Sequence, residues 1–150
     1  MAKTVRKATI SDLTQLAELF NGYRIFYKKP PALDKASEFL KERLENEDSE
    51  IFVAIDERQM LCGFVQLYPI FSSVRLKRKW LLNDLFVDSK FRGMGISKIL
   101  IDEAKALCRR TNACGLDLET SKSNEIGNQL YPRMGFVLNR ESNFYDWTAD

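Results

Sequence analysis

Three stretches of the chain repeat apolar residues every three or four positions, the period of a helix that buries one face. The first follows Ser11, a favourable N-cap residue, and continues toward Tyr27 before Pro30-Pro31. The second covers about residues 34–45, and the third covers about residues 96–110. The pattern therefore predicts three amphipathic helices.

Short apolar runs between these helices have the length and composition of β-strands. The predicted strands are residues 4–9, 51–55, 61–68, 80–87 and 115–120, and a short helix and a closing hairpin follow them. The order is β-αα-βββ-α-β-α-ββ. It predicts an α/β (α+β) fold, with a mixed, mostly antiparallel sheet of about seven strands and helices on both faces.

Two glycines, Gly93 and Gly95, lie between the strand at 80–87 and the helix that begins at Ile96. Glycine lets a backbone approach a ligand without a Cβ in the way. The first N–H groups of a helix have no acceptor within the helix, so they attract phosphate together with the helix dipole. The loop is therefore interpreted as a pyrophosphate-binding turn, against the alternative of an ordinary helix entry.

Three kinds of pyrophosphate site are alternatives for this loop. A Walker loop needs a Gly-Lys-Ser/Thr ending that the chain lacks here. A dinucleotide fingerprint needs a third Gly, where Lys98 stands, and an acidic residue about 20 positions later, near Glu119. The chain also has room for only one strand–helix–strand unit, so coenzyme A is the third alternative.

The segment from Arg92 to Ser97 resembles the Arg/Gln-x-x-Gly-x-Gly/Ala loop of the GNAT N-acetyltransferase superfamily, with Ser97 in place of the usual Gly or Ala. Asn124 and the segment 130–136, Leu-Tyr-Pro-Arg-Met-Gly-Phe, resemble a second hallmark of that family. Residues 83–87 and 22–27 look most like fungal histone/polyamine acetyltransferases, and spermidine/spermine N-acetyltransferases are the next match. The resemblance covers nearly the whole chain and implies the GNAT fold.

The resemblance also implies acetyl-CoA as the acetyl donor. The loop would bind the pyrophosphate, with Arg92 and Lys98 as cations. The strand at 85–87 would pair with the pantetheine arm, and one of its N–H groups would face the thioester oxygen. The expected cofactor contacts are Leu85, Phe86, Val87, Arg92, Gly93, Met94, Gly95, Ile96, Ser97, Lys98 and Asn124. Asn124 is equally an N-cap candidate.

Tyr131 is the residue that the family resemblance places at the departing CoA sulfur. A tyrosine pKa near ~10 and a thiol pKa near ~8.5 make full proton transfer uphill by roughly 2 kcal/mol. We therefore expect a hydrogen bond that strengthens as charge develops on sulfur. The alternative for Tyr131 is a core aromatic with its hydroxyl at the surface.

Two carboxylates, Asp84 and Glu119, are candidates for accepting the amine proton or attracting a cationic substrate. Asp84 is favoured because it interrupts an apolar strand, where an unneeded charge is costly. Asn83 stands where the spermidine/spermine enzymes carry Glu, which weakens a strict polyamine assignment. The aromatic residues Tyr23, Phe26 and Tyr27 belong to the region that walls the acceptor site in the family.

Composition narrows the chemistry further. The chain has 150 residues, 45% of them hydrophobic and 29% charged, which suits a single domain over residues 1–150. It has no histidine, so Ser-His and Cys-His catalysis is excluded, and three cysteines without ligand spacing predict no metal site. The free cysteines and the absence of a leader pattern predict a cytoplasmic protein.

The sequence thus predicts an N-acetyltransferase that moves an acetyl group from acetyl-CoA to a primary amine by direct attack. The acceptor is expected to be a polyamine-like small amine or a lysine side chain. Other acceptors (an amino acid, an aminoglycoside or a protein N-terminus) and a non-catalytic CoA sensor stay open. A net charge of +2 predicts no nucleic-acid or membrane partner, and the basic run 75–79 is interpreted as a solvated loop. Family relatives suggest a homodimer, with which Phe144, Tyr145 and Trp147 are compatible.

Overall fold

A computed structural model describes residues 3–150 of the chain. Along the chain these residues divide between Glu119 and Thr120 into two compact units, and each unit is described separately. The first unit contains all the strands: β1 (Thr4–Lys7), β2 (Glu50–Ile55), β3 (Leu61–Ser72), β4 (Lys77–Val87) and β5 (Leu116–Asp117). It also contains the helices α1 (Leu13–Phe26), α2 (Leu33–Asn46) and α3 (Ile96–Arg110), whereas α4 (Glu125–Arg133) belongs to the second unit.

The five strands form one mixed sheet in the order β1-β2-β3-β4-β5. Every neighbouring pair is antiparallel except β4 and β5, which are parallel. The α/β fold with a mixed sheet is therefore confirmed, but the described residues contain five strands rather than about seven.

The predicted closing hairpin after α4 is wrong for the described residues. No strand is present after Arg133, and the apolar side chains of this segment lie in solvent: Val137, Leu138, Phe144, Tyr145 and Trp147 are all exposed. A strand needs a partner to take its backbone hydrogen bonds, and apolar, strand-like composition does not supply one.

The sheet separates two layers of helix. Ile51 and Val53 join the core cluster formed with α1 and α2. Side chains alternate along a strand, so Phe52 points to the opposite face, where the Arg110 guanidinium of α3 lies over its ring. Helices on both faces of the sheet are therefore confirmed within the first unit.

The start of α1 differs from the prediction by a short turn. A 3-10 turn (Ile10–Asp12) precedes the helix, whose N-cap is Asp12 rather than Ser11. Asp12 accepts two hydrogen bonds from the Arg6 guanidinium, each 2.8 Å long, and a third from the Thr9 backbone N–H. A carboxylate satisfies more donors at this junction than a serine hydroxyl does.

The hairpin of β3 and β4 is longer than the sequence predicts. The sequence predicts a loop for the basic residues 77–79, but these residues begin β4, next to the turn, and pair with residues 70–72. Long cationic side chains fit a strand whose outer end faces water.

Within residues 3–150, no helix has the length and apolarity needed to cross a membrane.

One irregularity in this hairpin positions the site. Gln66 pairs with Asp84 and Leu67 pairs with Leu82, so Asn83 is an extra residue in β4. Such a β-bulge reverses the alternation of side chains on the bulged strand. Asp84 therefore shares the face of Gln66, which is the face of α1 and α2.

Candidate active site

The loop before α3 has the open geometry expected of an anion-binding turn. Gly93 has a φ of 77° and Gly95 a φ of 76°, a backbone region that residues with a Cβ rarely adopt. A Cβ placed on either glycine would meet no atom within 4 Å, so the space above the loop is free. No side chain caps α3, so no capping side chain takes the hydrogen bonds of its first N–H groups. The loop can therefore present main-chain donors to a phosphate.

Arg92 lies beside this loop but its side chain turns back toward the sheet. Its Nε donates to the Val87 carbonyl over 3.2 Å. Its guanidinium carbon lies 5.6 Å from the Phe86 ring centre and 6.0 Å from that of Phe26. The structure thus brings together four of the predicted site residues at the end of β4.

The edge of β4 is open next to this point. The short strand β5 pairs with Trp80 and Leu81 alone, so the described residues place no strand beside 82–87 on that side. The Asp88 N–H donates to the Cys62 carbonyl on β3. Because main-chain groups alternate between the two sides of a strand, those of Val87 and Leu85 face the open edge. The role of residues 85–87 toward a pantetheine arm stays a prediction.

Asp84 is the most buried acidic residue of the first unit, with 3% of its surface exposed. Its Oδ2 accepts a 2.6 Å hydrogen bond from Gln66 Nε2, and its Oδ1 accepts one of 3.1 Å from Asn83 Nδ2. Tyr23 of α1 also interacts with this carboxylate and donates to the Asn83 carbonyl over 3.2 Å. The carboxylate is thus held by neutral donors.

Burial raises the pKa of the Asp84 carboxyl above its usual value, because the charged form loses its hydration. The hydrogen bonds from Gln66, Tyr23 and Asn83 oppose that rise. On the same face, burial and the Asp84 charge raise the pKa of Tyr68 to about 12. The Asp84 carboxylate is therefore more basic than a carboxylate in water, and its catalytic role stays a prediction.

The predicted aromatic residues form a cluster at the end of α1. The Tyr23 ring meets Tyr27 edge-on at 5.1 Å and Phe86 at 6.4 Å, and Phe26 meets Tyr27 at 5.2 Å. Phe26 is 48% exposed, whereas Tyr23 and Tyr27 are half-buried. Tyr23 thus connects this partly open aromatic surface to the Asp84 carboxylate.

In the second unit, Asn124 is the N-cap of α4. Its Oδ1 accepts from the Gly127 N–H over 3.1 Å, and its Nδ2 donates to the Thr120 hydroxyl over 2.9 Å. Tyr131 is half-buried and packs edge-on against Phe136 at 5.8 Å. The N-cap interpretation of Asn124 is confirmed, and the roles of both residues toward CoA stay predictions.

Other predicted features lie apart from these contacts or stay unassigned. Glu119 is exposed at the end of the first unit. An open cavity of about 560 Å³ at the α1–α2 turn is lined by Arg24 and residues 30–35, which include none of the predicted site residues. Across residues 3–150, no group of three or more cysteine or acidic side chains could hold a metal ion.

Sequence reasoning missed two residues of the Asp84 cluster, Gln66 and Ser49. Gln66 is fully buried in β3, and Ser49 Oγ donates to its Oε1 over 2.9 Å. A signal was present, since Gln66 interrupts the apolar run of β3 as Asp84 interrupts that of β4. The missing information was that the two strands bring these residues opposite each other.

Comparison with known proteins assigns the chain to a family. The model of the acetyltransferase (GNAT) family matches residues 13–136, which extend into both units. The uncharacterized N-acetyltransferase YhfO of Bacillus subtilis (strain 168) is 42% identical over 132 residues, 88% of each chain. A probable acetyltransferase of Haemophilus influenzae is 30% identical, over 93% of this chain and 94% of the relative.

Solved structures agree with this assignment. The crystal structure of a probable acetyltransferase has a TM-score of 0.92 and 36% identity, and the match covers 98% of both chains. These relatives are named as acetyltransferases rather than as fungal histone or polyamine enzymes, so they support the superfamily and not the finer resemblance. The chain belongs to the acetyltransferase (GNAT) family, whose members generally take the acetyl group from acetyl-CoA, and it is an N-acetyltransferase.

Proposed function

We propose that the acceptor is a primary amine on an aliphatic, cationic molecule, either a polyamine-like small amine or a lysine side chain. The observation that carries this proposal is the buried Asp84 carboxylate, connected through Tyr23 to the partly exposed aromatic cluster of α1. A carboxylate attracts an ammonium group, and aromatic faces stabilise cations and pack against methylene chains.

On the donor side, we propose that acetyl-CoA binds along the open edge of β4 and at the loop before α3. The first N–H groups of α3 would hold the pyrophosphate, helped by Arg92 and Lys98. The main chain of 85–87 would pair with the pantetheine arm, and one N–H there would stabilise the oxyanion of the tetrahedral intermediate. The wide space above Gly93 and Gly95 supports this placement.

On the acceptor side, the amine has to lose a proton before it attacks. A free alkylammonium has a pKa near ~10.4, so at neutral pH most of it is protonated. We propose that Asp84 takes this proton, directly or through the Tyr23 hydroxyl or a water molecule. The amine nitrogen then forms a bond to the acetyl carbon, and the C–S bond breaks. A second proton leaves the new amide nitrogen, and the thiolate takes up one proton as CoA leaves.

Tyr131 is proposed to donate a hydrogen bond to the departing sulfur, and Asn124 to contact the cofactor while it caps α4. If Tyr131 acts this way, Tyr131→Phe lowers kcat far more than it raises the KM for acetyl-CoA, because the interaction grows only as the sulfur becomes charged. Equal kcat values in the two proteins would remove Tyr131 from the mechanism.

The acceptor proposal is tested with an amine panel at fixed acetyl-CoA, with release of free thiol as the signal. The panel contains spermidine, a lysine-bearing peptide, an amino acid, an aminoglycoside and a neutral aromatic amine. We expect the highest kcat/KM for spermidine or the peptide. Preference for the neutral amine would contradict the proposal, and calorimetric binding of acetyl-CoA without turnover of any amine would identify a sensor.

The homodimer and the cytoplasmic location are also proposals. The exposed aromatic residues Phe144, Tyr145 and Trp147 are compatible with a contact between copies. Light scattering on the eluting protein measures the mass in solution, and a mass of one chain across the working concentration range would exclude the dimer.

A further inference from the structure

A line of three buried polar side chains runs across the centre of the sheet. Ser49, which immediately precedes β2, donates to Gln66 of β3 over 2.9 Å, and Gln66 donates to Asp84 of β4 over 2.6 Å. The exposed fractions of the three residues are 9%, 0% and 3%. Each hydrogen bond therefore forms away from competing water.

The direction of these hydrogen bonds fixes the Gln66 amide. Because the Ser49 hydroxyl donates to Oε1, the Nε2 end of the amide is turned toward Asp84. A buried amide costs free energy unless its partners are satisfied, and an apolar residue would fill this position more cheaply if packing were its only purpose. The hydrogen bond to Asp84 therefore explains a buried glutamine at this position better than packing does.

The surroundings of Asp84 contain few other charges that could control it. Asn83 of β4 supplies the second neutral donor, and Tyr23 is the titratable group that faces Asp84 from α1. Tyr68 faces it from β3, and the charges of Arg43 and Asp48 act on Tyr68. Since the donors Gln66, Asn83 and Tyr23 are uncharged, they stabilise the ionised form of Asp84 without pairing it with a cation.

We propose that Gln66, oriented by Ser49, is a positioning residue that keeps Asp84 ionised and aimed at the acceptor amine. This inference rests on the proposed role of Asp84 as proton acceptor. It assigns Gln66 no contact with the substrate. Gln66 acts through the Oδ2 atom, to which it donates, while Oδ1 accepts from Asn83.

The test is to replace Gln66 with leucine, which keeps the volume and removes the donor. The carboxyl carbon of Asp84 is titrated by NMR in protein labelled with ¹³C-aspartate, and its signal is assigned by its absence in Asp84→Asn. The pH profile of kcat/KM is measured with the best amine of the panel. We expect the pKa of Asp84 to rise by about one unit and the acidic limb of the profile to move with it.

Two further variants keep the test decisive. Ser49→Ala leaves the Gln66 donor but frees its amide to rotate, so we expect a smaller shift in the same direction, and this change removes only one buried oxygen. Thr111→Val is the matched control, because it removes a hydroxyl that accepts from Trp80 Nε1 and lies outside the site. It should lower the Tm without moving either the Asp84 pKa or the acidic limb.

An unchanged Asp84 pKa in both Gln66→Leu and Ser49→Ala would overturn the proposal. A raised pKa with an unmoved acidic limb would also overturn it, because Gln66 would then have no influence on proton acceptance. If the wild-type protein turned over no amine, the proposed function would fail, and the NMR titration would still decide whether Gln66 controls the ionisation of Asp84.

Discussion

The loop before α3 and the Asp84 cluster are built from different parts of the polypeptide. The loop offers main-chain N–H groups at glycines of positive φ, and nothing fills the space above it. The Asp84 cluster depends on side chains from β3, β4 and α1 that exclude water. Donor binding should therefore depend on backbone geometry, whereas proton acceptance should depend on burial and pH.

The largest effect is expected from Asp84→Asn, which removes the proton acceptor and preserves shape. Loss of a general base lowers kcat/KM for the amine by about 10²–10⁴-fold, while the KM for acetyl-CoA stays constant because the loop is intact. Steady-state kinetics with both substrates measures this. Asp12→Asn, which changes a buried carboxylate elsewhere, should keep the wild-type kcat/KM, and equal losses in the two variants would break the comparison.

The same two variants should separate in stability. The Arg6 hydrogen bonds lower the pKa of Asp12, so Asp12 stabilises the fold above its unfolded-state pKa, and this contribution is lost as the pH falls through the folded-state value. Burial raises the pKa of Asp84, so its contribution is present below the unfolded-state pKa and is lost as the pH rises through the folded-state value.

At pH 7 we therefore expect Asp12→Asn to lower the free energy of unfolding by about 1–3 kcal/mol, the size of a hydrogen bond to a charged group. Asp84→Asn should leave it unchanged or raise it. Urea denaturation at pH 7 and pH 4 measures both, and the difference between the variants should shrink at pH 4. A larger loss for Asp84→Asn at pH 7 would show that its charge stabilises the fold.

A smaller effect is expected from Gly95→Val in the loop. A β-branched residue at this φ costs roughly 1–2 kcal/mol, which corresponds to about tenfold weaker CoA binding if the loop relaxes to avoid the strain. Gly95→Asn is the matched control, because asparagine tolerates this backbone region, and it should bind nearly as the wild type does. Equal calorimetric affinities in all three proteins would mean that the main-chain geometry of the loop does not determine binding.

The smallest effect is expected from Lys98→Gln, which removes a charge from the first turn of α3. An exposed charge near a helix end contributes about 0.3–1 kcal/mol, so CoA should bind about two- to fivefold more weakly. The difference should disappear in high salt, because exposed charges are screened. A difference that persists in high salt would indicate a desolvated contact.

The parts that the sequence predicts well are those with local signals. The periodicity of residues 96–110 matches α3, and the period of the first two helices places α1 and α2 within a residue or two of their observed ends. The turn at Gly93 and Gly95 is also predictable from the sequence, because glycine adopts positive φ values that other residues rarely adopt.

The parts that it predicts poorly depend on partners distant in sequence. Residues 115–120 were expected to form a strand, but only Leu116 and Asp117 pair with β4. The closing hairpin failed for the same reason, since its composition is strand-like and its pairing is absent from the described residues. The apolar surroundings of Asp84 in the sequence predict its importance. The contact of Gln66 with Asp84 depends on the pairing of β3 with β4, which the sequence does not show directly.

The extra residue Asn83 determines which face of the sheet the side chains on either side of it occupy. In a regular strand Leu82 and Asp84 would project from the same surface, and either the leucine or the carboxylate would be in the wrong layer. If Asn83 were taken up as a regular strand residue, every residue on one side of it would change face, and either the acid would enter the α3 layer or Leu82 and Trp80 would leave it. Deleting Asn83 would instead keep Leu82 and Asp84 on their present faces, because the two residues would then alternate directly. One bulge thus lets β4 place the apolar residues Trp80 and Leu82 in the layer of α3 and the carboxylate Asp84 in the layer of α1 and α2.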